Sequence, residues 1–179
     1  MAGPTPPFAL FVIADGIDVD YLSDALKRAY KGGFEAAWEQ YLVTGDYDDA
    51  PKKLENTYPE GTEAPVASSY QSPFIGKTVE DCAAWLQNAP DGVALNRDYF
   101  LVIDEFSKKS DSVQICRVLH TEGGGGFEVE YFPESTDDST VQMNTSLGVK
   151  FDEALQRYQR NRMRDGKPDR SKGMPYDRY

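Results

Sequence analysis

His120 is the single histidine of the chain. An imidazole with a near-neutral intrinsic pKa is the usual equipment for proton transfer. His120 closes an apolar run, Val113 to Leu119, and a second run, Tyr99 to Asp104, delivers the acids Asp104 and Glu105. A histidine and a carboxylate within hydrogen-bond reach act as general acid and base, so His120, Asp104 and Glu105 are the candidate catalytic residues. The chemistry would be an isomerase- or cyclase-type proton transfer on a metabolite. The structural alternative is a satisfied histidine at a strand end. Cys116 shares its strand face, but four residues along a strand is about 13 Å between Cα atoms, too far for a direct Cys–His pair.

Asp15 follows another apolar run, Phe8 to Ala14. If the two acid-terminated runs are parallel neighbours, their carboxyl ends set Asp15, Asp104 and Glu105 on one rim, where ligands sit in open α/β sheets. Asp15 is therefore a ligand-binding candidate. Asp18 and Asp20 lie close in sequence, and oxygen ligands of this kind suit a divalent cation; the alternative is that these acids cap helices and turns. No metal site or cofactor is assigned, and calorimetry with Mg²⁺ or Ca²⁺ is expected to be silent at millimolar concentration. Tyr47, Tyr58 and Tyr70, with Trp85, can line an apolar pocket with hydroxyl donors, so Tyr70 and Trp85 join the ligand-binding candidates. Gly123 to Gly126 joins two strand runs rather than opening a helix, and no lysine follows it, so it reads as a hairpin connection and not a phosphate loop.

These residues need elements to hold them. Phe8 to Ala14 and Tyr99 to Asp104 are continuous apolar runs, the pattern of strands buried on both faces. Val113 to Leu119 and Phe127 to Phe132 supply two more strands. Val19, Leu22, Leu26, Ala29 and Tyr30 fall on one helical face, with Asp18 or Asp20 as N-cap and Gly32-Gly33 as the stop. Phe34, Ala37, Trp38, Tyr41 and Leu42 repeat at helical spacing and predict a second amphipathic helix. Residues 46–73, with the four prolines Pro51, Pro59, Pro65 and Pro73, read as a long surface loop, a lid over the site, with one short strand near Val66 to Tyr70. Thr78 opens a helix with Asp81 as a variant capping box. Val141 to Val149 is ambiguous between a short strand and a loop. Phe151, Ala154, Leu155 and Tyr158 mark a last helix, and Gly166, Pro168, Gly173 and Pro175 exclude regular structure beyond about Arg164. The reading is one α+β domain over residues 8–164, a mixed sheet of about five strands with helices packed on it, and flexible termini at 1–7 and 165–179. Deleting residues 166–179 is expected to leave the melting temperature within about 2 °C.

Hydrophobic content of 40% in 179 residues suits one ordinary core. The formal charge of −11 is uneven: residues 157–179 hold eight Lys/Arg against three Asp/Glu, a net of +5, which leaves −16 on the body. An acidic body repels phosphate backbones, so nucleic acid is an unfavoured partner. Two cysteines make no disulfide framework, Met-Ala-Gly-Pro-Thr-Pro-Pro lacks the features of a signal peptide, and no apolar run reaches the roughly 18 residues of a membrane span. A cytoplasmic protein without membrane partners is the expectation. Its function is expected to be binding of a small molecule, with acid–base catalysis on it; the alternative is an acidic protein-interaction or regulatory module without catalysis.

The order of short motifs carries one resemblance. Phe8 to Asp15, Gly76-Lys77-Thr78-Val79-Glu80, Phe100-Leu101-Val102-Ile103-Asp104, Phe127-Glu128-Val129, Val141, Asn144, Ser146-Leu147-Gly148 and Glu153 resemble a family of small single-domain proteins of unknown function, mainly bacterial. The match extends over roughly Phe8 to Tyr158. The chain departs from it by an extra helix before Phe34, a longer proline-rich loop and the basic tail. The resemblance implies a single α+β domain and no activity, and it adds Asn144 to the ligand-binding candidates, against the alternative of an asparagine that fixes a turn.

Overall fold

The computed structural model describes residues 5–145, 149–164 and 167–168. Ser146-Leu147-Gly148 and the tail beyond Pro168 lie outside the described residues, and so does most of the terminal segment read as flexible.

The two acid-terminated apolar runs are β1 (Phe8–Val12) and β3 (Tyr99–Ile103). They are parallel neighbours, with Leu10 opposite Leu101 and Val12 opposite Ile103. Between them in sequence come α1 (Val19–Gly32), β2 (Gln40–Leu42) and α2 (Val79–Gln87). After them come the single turn α3 (Ser107–Ser110), the long antiparallel pair β4 (Ser112–His120) and β5 (Phe127–Ser135), then α4 (Ser139–Thr145) and α5 (Val149–Arg162). The sheet order is β2-β1-β3-β4-β5, so both apolar runs are internal strands, as continuous burial requires. Among the described residues this is one domain of the α+β class, a mixed five-stranded sheet with five helices on it. No helix among the described residues is long and apolar enough to cross a membrane.

Strand alternation divides the core into two layers. Ala9, Phe11, Phe100, Val102, Cys116 and Val118 face α2, which meets them with Val79, Cys82, Ala83 and Leu86. Phe11 is the hub of that side, edge-on to Phe74, Trp85 and Phe100 at 4.8–5.7 Å. Phe8, Leu10, Val12, Leu101, Ile103, Ile115 and Phe132 face the other way, against Leu22 and Leu26 of α1 and Phe151, Leu155 and Tyr158 of α5. The Arg28 guanidinium ties α1 to the far half of the sheet, pairing with Asp111 and Asp137 at 2.6 Å, and both carboxylates hold it firmly protonated.

Four expectations are corrected. The helix over Phe34 to Leu42 does not exist: after Gly33, Phe34 and Glu35 take left-handed φ of 61° and 56°, and the chain then runs extended into β2. The short strand near Val66 to Tyr70 is a turn, closed by Tyr70 N donating to Ala67 O. The ambiguous segment at Val141 is helical, because Met143 of α4 is drawn into the core. The chain also resumes pairing past Arg164, as β6 (Met163–Arg164) opposes β7 (Lys167–Pro168). A proline at a ribbon end loses no obligatory ladder bond.

Candidate functional site

The chain leaves β1 through α1 on one face to reach β2 and enters β3 through α2 on the other face, so the connections diverge between β1 and β3. Such a divergence opens a crevice at the carboxyl ends of the strands. A cleft of about 260 Å³ lies there. Ile13 and Ala14 form its β1 wall, Asp104, Glu105 and Phe106 come from the turn after β3, and Gln114 of β4 and Tyr131 of β5 close it.

Asp104 is buried and organises the turn. Its Oδ1 accepts from Phe106 N at 3.0 Å and Ser107 Oγ at 3.1 Å, and its Oδ2 accepts from Gln114 Nε2 at 2.7 Å. Gln114 is only 3% exposed, and with its nitrogen committed to Asp104 its Oε1 has no hydrogen-bond partner among the described residues. Buried polar atoms are ordinarily paired, which makes Gln114 the candidate recognition group of this wall. Burial pushes the Tyr131 phenol up to about 12, with the charges of Glu80, Cys116 and Asp104 adding to the effect, so it stays protonated at neutral pH. Glu105 is exposed at the mouth.

The sequence candidates divide. Asp104 and Glu105 line the cleft, and Asp15 stands beside it at the same rim, its Oδ1 accepting from Gly16 N at 2.8 Å. His120 does not join them. It lies six residues beyond Gln114 on the same strand, about 20 Å along it, at the opposite end of the sheet. There it is exposed, with Nε2 3.9 Å from Asp98. The grouping of His120 with Asp104 and Glu105 fails because β4 runs antiparallel to β3 and carries its last residue away from the rim where β3 ends.

Tyr70, Trp85 and Asn144 are not in the cleft either. Tyr70 donates to Val43 O at 3.0 Å, and Trp85 Nε1 donates to Gly45 O at 3.1 Å while its ring stacks on Tyr47 at 4.5 Å. Asn144 Nδ2 donates to Glu39, fastening α4 to the segment before β2. The proline-rich segment 46–73 is consequently no lid. Gly61 N donates to Trp38 O, Thr62 N to Gln40 O, and Thr62 Oγ1 accepts from Leu42 N, so the segment covers the open edge of β2. An uncovered edge strand invites pairing with another chain. Gly61 is required by the close approach: a Cβ there would stand 2.3 Å from Gln40 O.

Asp18 and Asp81 act as caps. Asp18 Oδ1 accepts from Tyr21 N at 2.8 Å, and Thr78 and Asp81 form a complete capping box on α2. Among the described residues, no group of three or more His, Cys, Asp or Glu is placed to hold a metal ion. Sequence reasoning passed over Gln114 and Tyr131 as site residues. The available signal was Gln114, a polar side chain on the strand face of Cys116 and Val118.

The chain matches no protein-family description, no curated protein and no solved structure.

Proposed function

We propose that the protein binds a small polar molecule in the cleft at the carboxyl ends of β1 and β3. The observation that carries this reading is the buried Gln114 amide on the cleft wall, held by Asp104 through its nitrogen and, among the described residues, without a partner at its oxygen. The cleft stands where open α/β sheets take their ligands, and it has the mixed character of binding sites: apolar Ile13, Ala14 and Phe106 beside a few convergent polar groups. Catalysis receives less support than binding. His120 lies at the far end of the sheet, Gln114 carries no transferable proton at neutral pH, the Tyr131 phenol is held too firmly to act as a base, and of the two carboxylates Asp104 is engaged by Phe106, Ser107 and Gln114, which leaves Glu105 alone.

A fragment screen by two-dimensional amide NMR tests the reading. Hits are expected to shift the signals of residues 13–14, 104–106, 114 and 131 together. Glu105→Trp, a substitution in an exposed turn that fills the mouth, is expected to abolish those shifts while leaving the fold intact. A screen whose hits all fall elsewhere, or hits that survive Glu105→Trp, would overturn it.

A second reading, a protein-interaction module, is favoured by one feature. Phe34 is 85% exposed on its left-handed turn. Beside it, Glu35, Glu60 and Glu63 line a hollow with the stacked pair Tyr30–Trp38, whose ring centroids are 4.3 Å apart. An apolar anchor rimmed by carboxylates suits a basic partner segment.

A further inference from the structure

We propose that the ligand of the cleft is a small organic cation bearing N–H donors, of the ammonium, amidinium or guanidinium kind; the inference rests on the binding reading above and names its ligand class. The side chains on the cleft wall are biased toward accepting. The Gln114 amide cannot be turned round, since its nitrogen serves Asp104 Oδ2 at 2.7 Å and the reverse orientation would set two oxygens against each other. Its carbonyl oxygen, on a residue 3% exposed, therefore presents an acceptor that no group among the described residues satisfies. Asp104 and Glu105 are carboxylates, and the Tyr131 phenol can accept as readily as donate. Among the described residues, no lysine, arginine or histidine lines the cleft. Lys108, the nearest cation in sequence, is held by Asp18 at 2.8 Å. Glu80, in the first turn of α2, adds its negative charge at Tyr131.

An anion has no counterpart to these groups. Sheets of this kind commonly hold phosphates on the exposed amides of helix N-termini beside the crevice. Here the two long helices that begin near the rim are already capped: Asp18 takes Tyr21 N of α1, and the Thr78–Asp81 box closes α2, while at the single turn α3 the Asp104 carboxylate takes Phe106 N. The first turns of α1 and α2 carry Asp20, Glu80 and Asp81, which repel a phosphate further. The rim is wired for positive charge.

Benzamidinium, benzamide and benzoate share one shape while the charge runs from +1 through zero to −1, and titrating each into the full chain by amide NMR separates charge from size. Benzamidinium is expected to shift the backbone signals of residues 104–106 and the Gln114 side-chain amide, benzamide to do so at least about fivefold more weakly, as one screened charge contact at 4 Å implies, and benzoate not at all. Glu105→Gln is expected to weaken benzamidinium about fivefold and to leave benzamide unchanged. Benzoate binding as tightly as benzamidinium, or a Glu105→Gln protein that binds benzamidinium unchanged, would overturn the cation assignment while the cleft remains a binding site. If none of the three binds but other fragments occupy the cleft, the cation class is again wrong. An empty fragment screen would instead defeat the binding reading itself.

Discussion

Glu39 is a buried carboxylate whose partnership carries a pH signature. It is 8% exposed, and its side chain accepts from Asn144 Nδ2. Burial raises its pKa above the usual glutamate value, and the Asn144 hydrogen bond offsets only part of that. The folded state therefore holds this proton at pH values where the unfolded chain has lost it. Stability from the group is greatest below the unfolded pKa and declines as pH rises through the folded one. At neutral pH the ionised Glu39 is a net cost. Glu39→Gln keeps an acceptor for Asn144 and removes the charge, so it is expected to raise unfolding stability at pH 7 by on the order of 1 kcal/mol and to flatten the loss of stability above pH about 4.5. Urea denaturation at several pH values checks both; a destabilised variant at pH 7 would show that the charge is better compensated than its burial implies. The same residue explains Asn144, a site candidate whose role is to tie α4 to the β2 end of the sheet.

The turn between α1 and β2 is where local propensity and final structure part. Phe34 and Glu35 both occupy the left-handed region, which costs a side-chain-bearing residue about 1–2 kcal/mol. Phe34 recovers little by packing, being 85% exposed. Phe34→Gly is thus expected to stabilise the protein by roughly 1 kcal/mol, measured as a shift of the urea midpoint. If the turn serves as a docking point, the same substitution that stabilises the fold removes association with a basic peptide, a trade of stability for contact. A fall in stability would mean that Phe34 makes contacts which its exposure conceals. The turn also accounts for the misread helix. Phe34, Ala37, Trp38, Tyr41 and Leu42 have helical spacing, but Tyr30 stacks on Trp38 only if the chain turns back on α1, and the three-residue strand β2 is too short to display alternation against it.

At the scale of the whole molecule, charge is the feature that composition alone foretells. The −16 carried before residue 157 crowds carboxylates over the rim, the cleft and the Tyr30–Trp38 hollow. Self-repulsion of this kind opposes the compact state and is screened by salt, since the Debye length falls from about 30 Å at 0.01 M to about 8 Å at 0.15 M. The melting temperature is expected to rise as NaCl increases across that range; a fall would show that attractive pairs such as Arg28 with Asp111 and Asp137 outweigh the repulsion.

What the sequence determined by itself was the middle of the sheet and the ends of two helices. Phe8 to Val12 and Tyr99 to Ile103 are apolar without interruption, so only internal strands could accommodate them, and Asp18 and Thr78 declare helix starts through bonds to their own next turns. These are local properties, encoded within a few residues. Tertiary structure decided strand direction, and direction decided the site. The parallel pairing of β1 with β3 brings Ala14 and Asp104 to one rim, while the antiparallel return of β4 delivers Gln114 there and carries His120 away. Nothing within the Val113 to His120 run reveals which of its ends meets that rim, because an alternating pattern reads the same in either direction.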